Sequence, residues 1–252
     1  MSRSVRGRLA TLMYRYGWDT RCRNLAPARA LAGILAKGAP GSRPALLDVG
    51  SGDLGISAFL RGVSVIGTDL QRSAPPGAHL AFVSGSATAL PFRDRSFPLV
   101  SCIDVLEHLA PADRPAVIKE CLRVASRAVV FAFPNGSQAR QRDVAFAQAC
   151  ARRARPVPGW VEEHLRHEEY PVAEAVADQV RRAVEPTGQR ATLTLSYCEP
   201  VRICQVVRAA AARSTILYAL ANLFFGVWLS SLPAPQARRA YRAVLLAELA
   251  SG

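Results

Sequence analysis

Residues 45–55 read "ALLDVGSGDLG". A short apolar run bounded by glycine is the mark of a buried parallel strand, and Gly50-x-Gly52-x-x-Gly55 follows it directly. With Asp69 further on, this spacing matches the fingerprint of a dinucleotide site, where glycines let the backbone approach a ligand at a helix start. Two carboxylates, Asp48 and Asp53, fall inside the same stretch. In dinucleotide sites the pyrophosphate lies against this loop. A carboxylate about 4 Å from a phosphate, at an effective dielectric near 20, costs on the order of 4 kcal/mol. The loop therefore disfavours an anionic guest and favours a cationic one.

Outward from this stretch, apolar runs alternate with helical patterns. "VSVIGTDL" (63–70) reads as a second strand ending at Asp69, "LAFVSG" (80–85) as a third, "LVSCID" (99–104) as a fourth and "RAVVFAFPN" (127–135) as a fifth. A short helix is expected in "ISAFLRG" (56–62), and one helix over "VLEHLAPADRPAVIKECLRVA" (105–125). Strands and helices alternating at this spacing predict an α/β, Rossmann-like, doubly wound, mostly parallel sheet with helices on both faces. Ligands of such sheets bind beyond the carboxyl ends of the strands. Asp48, Asp69, Asp104 and Asn135 all fall at such ends and are expected around one crevice.

On the N-terminal side, residues 5–37 have helical periodicity up to a Gly/Pro break in "GAPGSRP". Beyond 136, helices are expected in "DVAFAQACARRARP" (143–156) and within 159–184, and a sixth strand in "ATLTLSY" (191–197). A final strand, "AYRAVLLAEL" (240–249), alternates in polarity and can close the sheet in antiparallel sense. The reading is one domain over 1–252. It comprises N-terminal helices over 1–43, a cofactor-binding core over 44–136, a helical acceptor-side region over 137–190, and an apolar helical insertion over 199–238.

At 252 residues and 50% apolar composition the chain is long enough for one sizeable core and excludes a disordered protein. Net charge is +13, yet only Lys37 and Lys119 of the 32 basic residues are lysines. An arginine-rich solvated surface explains most of that charge, while anionic partners remain compatible with it. The six cysteines are scattered without a C-x-x-C pair and read as free thiols of a reducing cytosol. The N-terminal apolar run is broken by Arg15 and does not read as a signal peptide. A cytoplasmic protein is expected, with the inner membrane surface as a second location.

S-adenosylmethionine suits the glycine loop, because it lacks phosphates and carries an ammonium and a sulfonium. The stretches "LLDVGSGDLG", "VIGTDL", "SGSATALPFRDRSF", "LVSCIDVLEHL" and "ECLRVASRAVVFAFPN" resemble, in order and spacing, the class I S-adenosylmethionine-dependent methyltransferases. The resemblance covers roughly residues 44–136, and within the family it is to the branch that methylates small molecules and glycan- or lipid-type metabolites. It implies a seven-stranded sheet whose last strand is antiparallel, and S-adenosyl-L-methionine as cofactor. Carried over by position, Asp48, Gly50, Ser51 and Gly52 form the loop, and Asp69 with Leu70 holds the ribose side. Ser86 and Ala87 face the adenine, and Asp104 opens the segment after the fourth strand. Three departures stand out: Leu54 replaces the family's third glycine, with Gly55 one place late. Ser86 stands where an aspartate is usual, and Phe97-Pro98 where Phe-Asp is usual.

Methyl transfer to an oxygen benefits from a general base, and His108 in Glu107-His108 is the candidate, with packing at the helix start as its alternative role. Asp104-x-x-Glu107-His108 is also similar to the E-x-x-E-H metal motif of ubiquinone-pathway O-methyltransferases. Adjacent side chains on a helix diverge by roughly 100°, however, and no metal is expected. "EEHLRHEEYP" resembles an E-H-L-x-x-x-x-x-P segment of the same branch. His164 and His167 are read there as part of a solvated, glutamate-rich helix. The acceptor is expected to be a small or lipid-linked metabolite. A nucleic acid is not expected, since no N/D-P-P-Y or Pro-Cys motif follows the fourth strand.

The run "STILYALANLFFGVWLSSL" (214–232) approaches the length of a membrane span, but Asn222, its glycine and serine breaks and the strand after it argue against crossing. It reads either as a helix covering the active site or as a hydrophobic lip touching the membrane, with Arg213, Arg238 and Arg239 at headgroups. Two alternatives to the transferase remain at this level. One is an NAD(P)-dependent oxidoreductase using the glycine loop, and the other a non-catalytic membrane-peripheral binding protein.

Overall fold

The computed structural model describes residues 16–36, 44–52, 55–71, 81–228 and 240–250. Asp53, Leu54, the helical pattern before residue 16, residues 229–232 of the apolar run, and Arg238 and Arg239 lie outside them. Seven strands form one sheet in the order β3-β2-β1-β4-β5-β7-β6. They are β1 (Ala45–Val49), β2 (Ser64–Asp69), β3 (Ala81–Ser84), β4 (Phe97–Ile103), β5 (Ala125–Pro134), β6 (Arg190–Pro200) and β7 (Ala240–Ala250). β7 runs antiparallel to both β5 and β6, and the remaining pairs are parallel. The expected doubly wound sheet with an antiparallel last strand is the observed one.

Its two faces follow from the period-2 alternation of strand side chains. In β5, Val129, Phe131 and Phe133 point to one face, against Val117, Ile118 and Cys121 of helix α2 (Arg114–Val124) and Val176 and Val180 of α5 (Ala173–Val184). Ala128, Val130 and Ala132 point to the other, where Ala28, Leu31 and Ile34 of α1 (Trp18–Ala36) cover them. Both faces of β5 are buried, so the strand reads as an unbroken apolar run.

Two local expectations change. The single helix over 105–125 is a 3-10 turn at Leu106–His108 followed by α2, because Pro115 has no N–H and is tolerated only in a helix's first turn. α3 (Gly136–Ala151) starts seven residues earlier than the pattern indicated, directly after β5, where Gly136 takes a left-handed φ of 64°.

Above the carboxyl ends of the strands, α3 packs on α4 (Gly159–Leu165) and on α6 (Val201–Arg213), and α6 on α7 (Thr215–Trp228). α7 in turn seats against α1. Its Asn222 accepts the Asp19 N–H at 3.0 Å, and a Cβ at Gly226 would overlap the Tyr16 carbonyl and the Trp18 amide. Asn222 and Gly226, which interrupt the apolar run, therefore lie on its inner face. Among the described residues no helix is long and apolar enough to cross a membrane.

Gly226→Ala should prise α7 from α1 and lower the unfolding free energy by about 1–3 kcal/mol, the usual cost of overpacking, as read by urea denaturation.

Candidate active site

The glycine loop is built around Asp48. Its carboxylate is buried and turned inward: Oδ1 accepts the Ser101 hydroxyl at 2.6 Å and Oδ2 the Ile56 N–H at 3.0 Å. Asp48 is thus a strut joining β1, β4 and the turn after the loop, not a side chain reaching toward a guest. Burial pushes its pKa up to about 6, against the lowering effect of its two hydrogen bonds. The strut also accounts for the displaced glycine. Gly55 has φ 50°, and a Cβ there would overlap the Asp48 carboxylate. A Cβ at Gly50 would likewise overlap Val105.

The loop's other features fit a nucleoside carrying a cationic tail. Gly50 and Ser51 donate their N–H groups to the Thr68 carbonyl at 2.8 and 3.3 Å, which fixes the turn, while the Ser51 hydroxyl is buried without a partner. Asp69 ends β2 with its carboxylate against the loop. Oδ2 accepts the Gly52 N–H at 3.3 Å, Oδ1 accepts the Leu70 N–H at 2.7 Å, and lone pairs remain for a diol. Leu70 is exposed beside it, an apolar surface on which a flat ring could lie. Ser86 shares a 2.8 Å hydrogen bond with Thr88 inside a tight turn, with Ala87 between them, so its hydroxyl is partly engaged locally.

A cavity of about 660 Å³ opens next to this loop, from Gly50 and Asp104 out to Trp160 and Thr215. Of the four strand-end residues, only Asp104 lines it. Asn135 accepts the Ala173 N–H at 2.9 Å and caps α5 instead. Asp104 itself sits at φ 55° and is held by two arginines, Arg23 at 2.9 Å and Arg242 in direct contact. Arg242 also reaches Glu199 at 3.4 Å, a second residue with left-handed φ, at 64°. One buried guanidinium thereby ties down two strained carboxylate residues.

His108 lines the same cavity, on the 3-10 turn after β4, with Nδ1 3.3 Å from Glu163. Burial, reinforced by His164, pulls its pKa down to about 4, so the ring is neutral at pH 7. The arginine of Arg114-Pro115 secures that turn, donating to the carbonyls of Leu106 at 3.0 Å and Leu109 at 3.2 Å.

His164 corrects the sequence reading. It is buried rather than solvated, its ring packing edge-on against His108 with centroids 4.8 Å apart. α4 ends at Leu165, so His167 lies off the helix, 3.2 Å from the His108 carbonyl. His164 is held by a residue that sequence reasoning missed, Asp143. This carboxylate meets His164 Nδ1 at 3.0 Å, the Tyr170 hydroxyl at 2.7 Å, the Tyr241 hydroxyl at 2.9 Å and Arg208 at 2.6 Å. Burial alone would raise its pKa, but the hydrogen bond from His164 and the Arg208 charge outweigh it and hold it low. A signal existed: Ala139, Asp143, Phe146 and Cys150 share the buried stripe of α3, and an acid on such a stripe needs partners.

Comparison with known proteins follows the same core. The family described as "Methyltransferase domain" matches residues 47–133. Among solved structures, the CurJ carbon methyltransferase superposes with a TM-score of 0.57 at 14% identity, over 96% of this chain and 58% of that one. A SAM-dependent methyltransferase from Archaeoglobus fulgidus superposes with a TM-score of 0.51 at 16% identity, over 90% of this chain and 94% of that one. Identities this low establish a common fold. No curated protein matches the chain. The family match does not favour the oxidoreductase alternative.

Because the native state binds the Asp48 proton more tightly than the unfolded chain, stability should fall as pH rises from about 4 to about 6. Relative to Asp48→Asn, which lacks this proton, the wild type should lose up to roughly 3 kcal/mol across that window. Denaturation series at several pH values measure the difference.

Proposed function

We propose, from the methyltransferase-domain match over residues 47–133, that the chain is a class I S-adenosylmethionine-dependent methyltransferase and that it methylates an oxygen of a small or lipid-linked metabolite. The cofactor supplies an electrophilic methyl group when bound. In this reading the Gly50–Gly52 loop and Ser51 cradle its methionine part, Asp69 accepts the ribose hydroxyls, and Leu70, Ser86 and Ala87 border the adenine. Asp104, with its paired arginines, closes the end nearest the acceptor.

The observation that carries the reading is that His108 shares one cavity with Gly50 and Asp104. A neutral imidazole beside the loop is in the protonation state that a general base requires. With Nδ1 facing Glu163, Nε2 is left for an acceptor's hydroxyl proton. The outer half of the cavity mixes apolar and cationic groups, Phe146, Trp160 and Val207 beside Arg155 and Arg208, which suits an amphipathic acceptor.

α7 supports the lipid-linked version. Thr215 and Tyr218 line the cavity, so the helix covers the site, while its other face is exposed. Ile216, Leu217, Leu220, Phe224, Val227 and Trp228 are all exposed and fall within about 120° of arc at 100° per residue. Arg213 precedes the helix. Such a stripe beside a cavity mouth suits contact with an anionic lipid surface, through which an apolar acceptor could enter.

S-adenosylhomocysteine should bind in calorimetry, while NAD(H) should not. The reverse result would return the chain to the oxidoreductases. His108→Ala should lower turnover by about 10²–10⁴-fold with S-adenosylhomocysteine affinity unchanged. Unaltered turnover would make His108 structural. The protein should float with vesicles containing anionic lipid, and Leu220→Glu/Phe224→Glu should abolish flotation. Wild-type protein that stays at the bottom would remove the lipid contact.

A further inference from the structure

We infer that Glu107, His108 and His164 form a binding site for one borderline divalent cation, of which zinc is the type. One donor atom from each residue can be chosen so that all three lie within 4.8 Å of one another. With metal–ligand bonds of about 2.0–2.1 Å, ligands of a tetrahedral ion stand roughly 3.3 Å apart. Side-chain movements on the order of 1 Å would close the difference.

The strongest indication is Glu107. It is fully buried, and neither carboxylate oxygen has a hydrogen-bond partner from another residue. A carboxylate left that way is costly unless a cation or donor meets it. His164 Nε2 stands 3.8 Å from its Oε1.

The imidazoles are arranged as metal ligands usually are, each with a carboxylate on its other nitrogen to fix tautomer and orientation. Asp143 stands at 3.0 Å behind His164 Nδ1, and Glu163 at 3.3 Å behind His108 Nδ1. Both Nε2 atoms are left for a ligand. Two imidazoles and one carboxylate suit zinc and neighbouring first-row ions better than magnesium or calcium, which prefer all-oxygen shells. Three protein ligands leave coordination positions open, and His108 and His164 both line the acceptor cavity.

The ligand set differs from the Asp104-x-x-Glu107-His108 motif. Asp104 is occupied by Arg23 and Arg242, and the third donor comes from α4, 56 positions beyond His108 in the chain. Neighbouring side chains on a 3-10 turn diverge by about 120°, and it is His164 of α4, packed against the His108 ring, that brings a third donor within 4.8 Å of both. Cation binding itself does not depend on the methyl-transfer reading. Its consequence for catalysis does: a resident ion would take over the task given to His108, acidifying an acceptor hydroxyl directly.

The test loads chelator-stripped, full-length protein with Co²⁺, a spectroscopic stand-in for zinc, and dialyses away the excess. One ion retained per chain, with visible absorption bands of low-coordinate cobalt, is the expected result. Glu107→Gln and His164→Ala should each lose the ion and its bands, while circular dichroism shows both still folded. Glu107→Gln, nearly isosteric and uncharged, keeps the question answerable if His164→Ala does not fold. No retained cobalt in the wild type, or equal retention in Glu107→Gln, would overturn the inference. Cobalt retained without any S-adenosylhomocysteine binding would sink the methyl-transfer reading and leave the cation site standing.

Discussion

The helical layer beside the cavity hangs on one buried carboxylate. Asp143 projects from α3 into a space where α4, α6, β7 and the Tyr170 loop converge, and it receives a donor from each of them. A charge buried so deeply is tolerable only when fully hydrogen-bonded, and removing one partner of such a cluster typically costs several kcal/mol. The same group orients His164, whose ring packs on His108. Arg208, completing the cluster, lies over the Tyr241 ring at 4.4 Å and lines the cavity. Fold stability and site geometry are here the same set of hydrogen bonds.

A second constraint shapes the glycine loop. The acid in the glycine turn does not meet the ligand as a bare charge. Asp48 is spent on Ser101 and Ile56, and Gly55 stands where it does because the carboxylate occupies the space a side chain would need. In the methyl-transfer reading, a cationic guest would be favoured by the field of a buried carboxylate behind the loop and by Asp69 at its edge. Both act over short distances in a poorly screened environment.

Between the two lies the Asp104–Arg242–Glu199 cluster, with two non-glycine residues in left-handed backbone conformations. Strain of this kind persists where surrounding interactions over-determine it, and it sits where cofactor and acceptor would meet. α7 closes the cavity above it. Its inner face is specified by Asn222 and Gly226, and its outer face is left apolar.

The succession of strands along the chain, the glycine loop, and the places of Asp69 and His108 just after strands were legible in the sequence, because each depends on local pattern. Apolar runs, turn glycines and strand ends recur at short, fixed spacings. The last strand was legible as a strand, but its antiparallel sense was implied only by the family resemblance, and the expected alternation is absent because its first eight residues are all buried. What the sequence could not supply was every contact between residues far apart in the chain. Asp48 turning inward, Asp104 captured by Arg23 and Arg242, and His164 buried beside Glu107 all arise from elements that meet only after the sheet is wound. Each of these contacts joins residues 53 to 138 positions apart, and no local period encodes which acid will find a base. The tertiary structure decided which charges face the cavity and which are spent on holding the protein together.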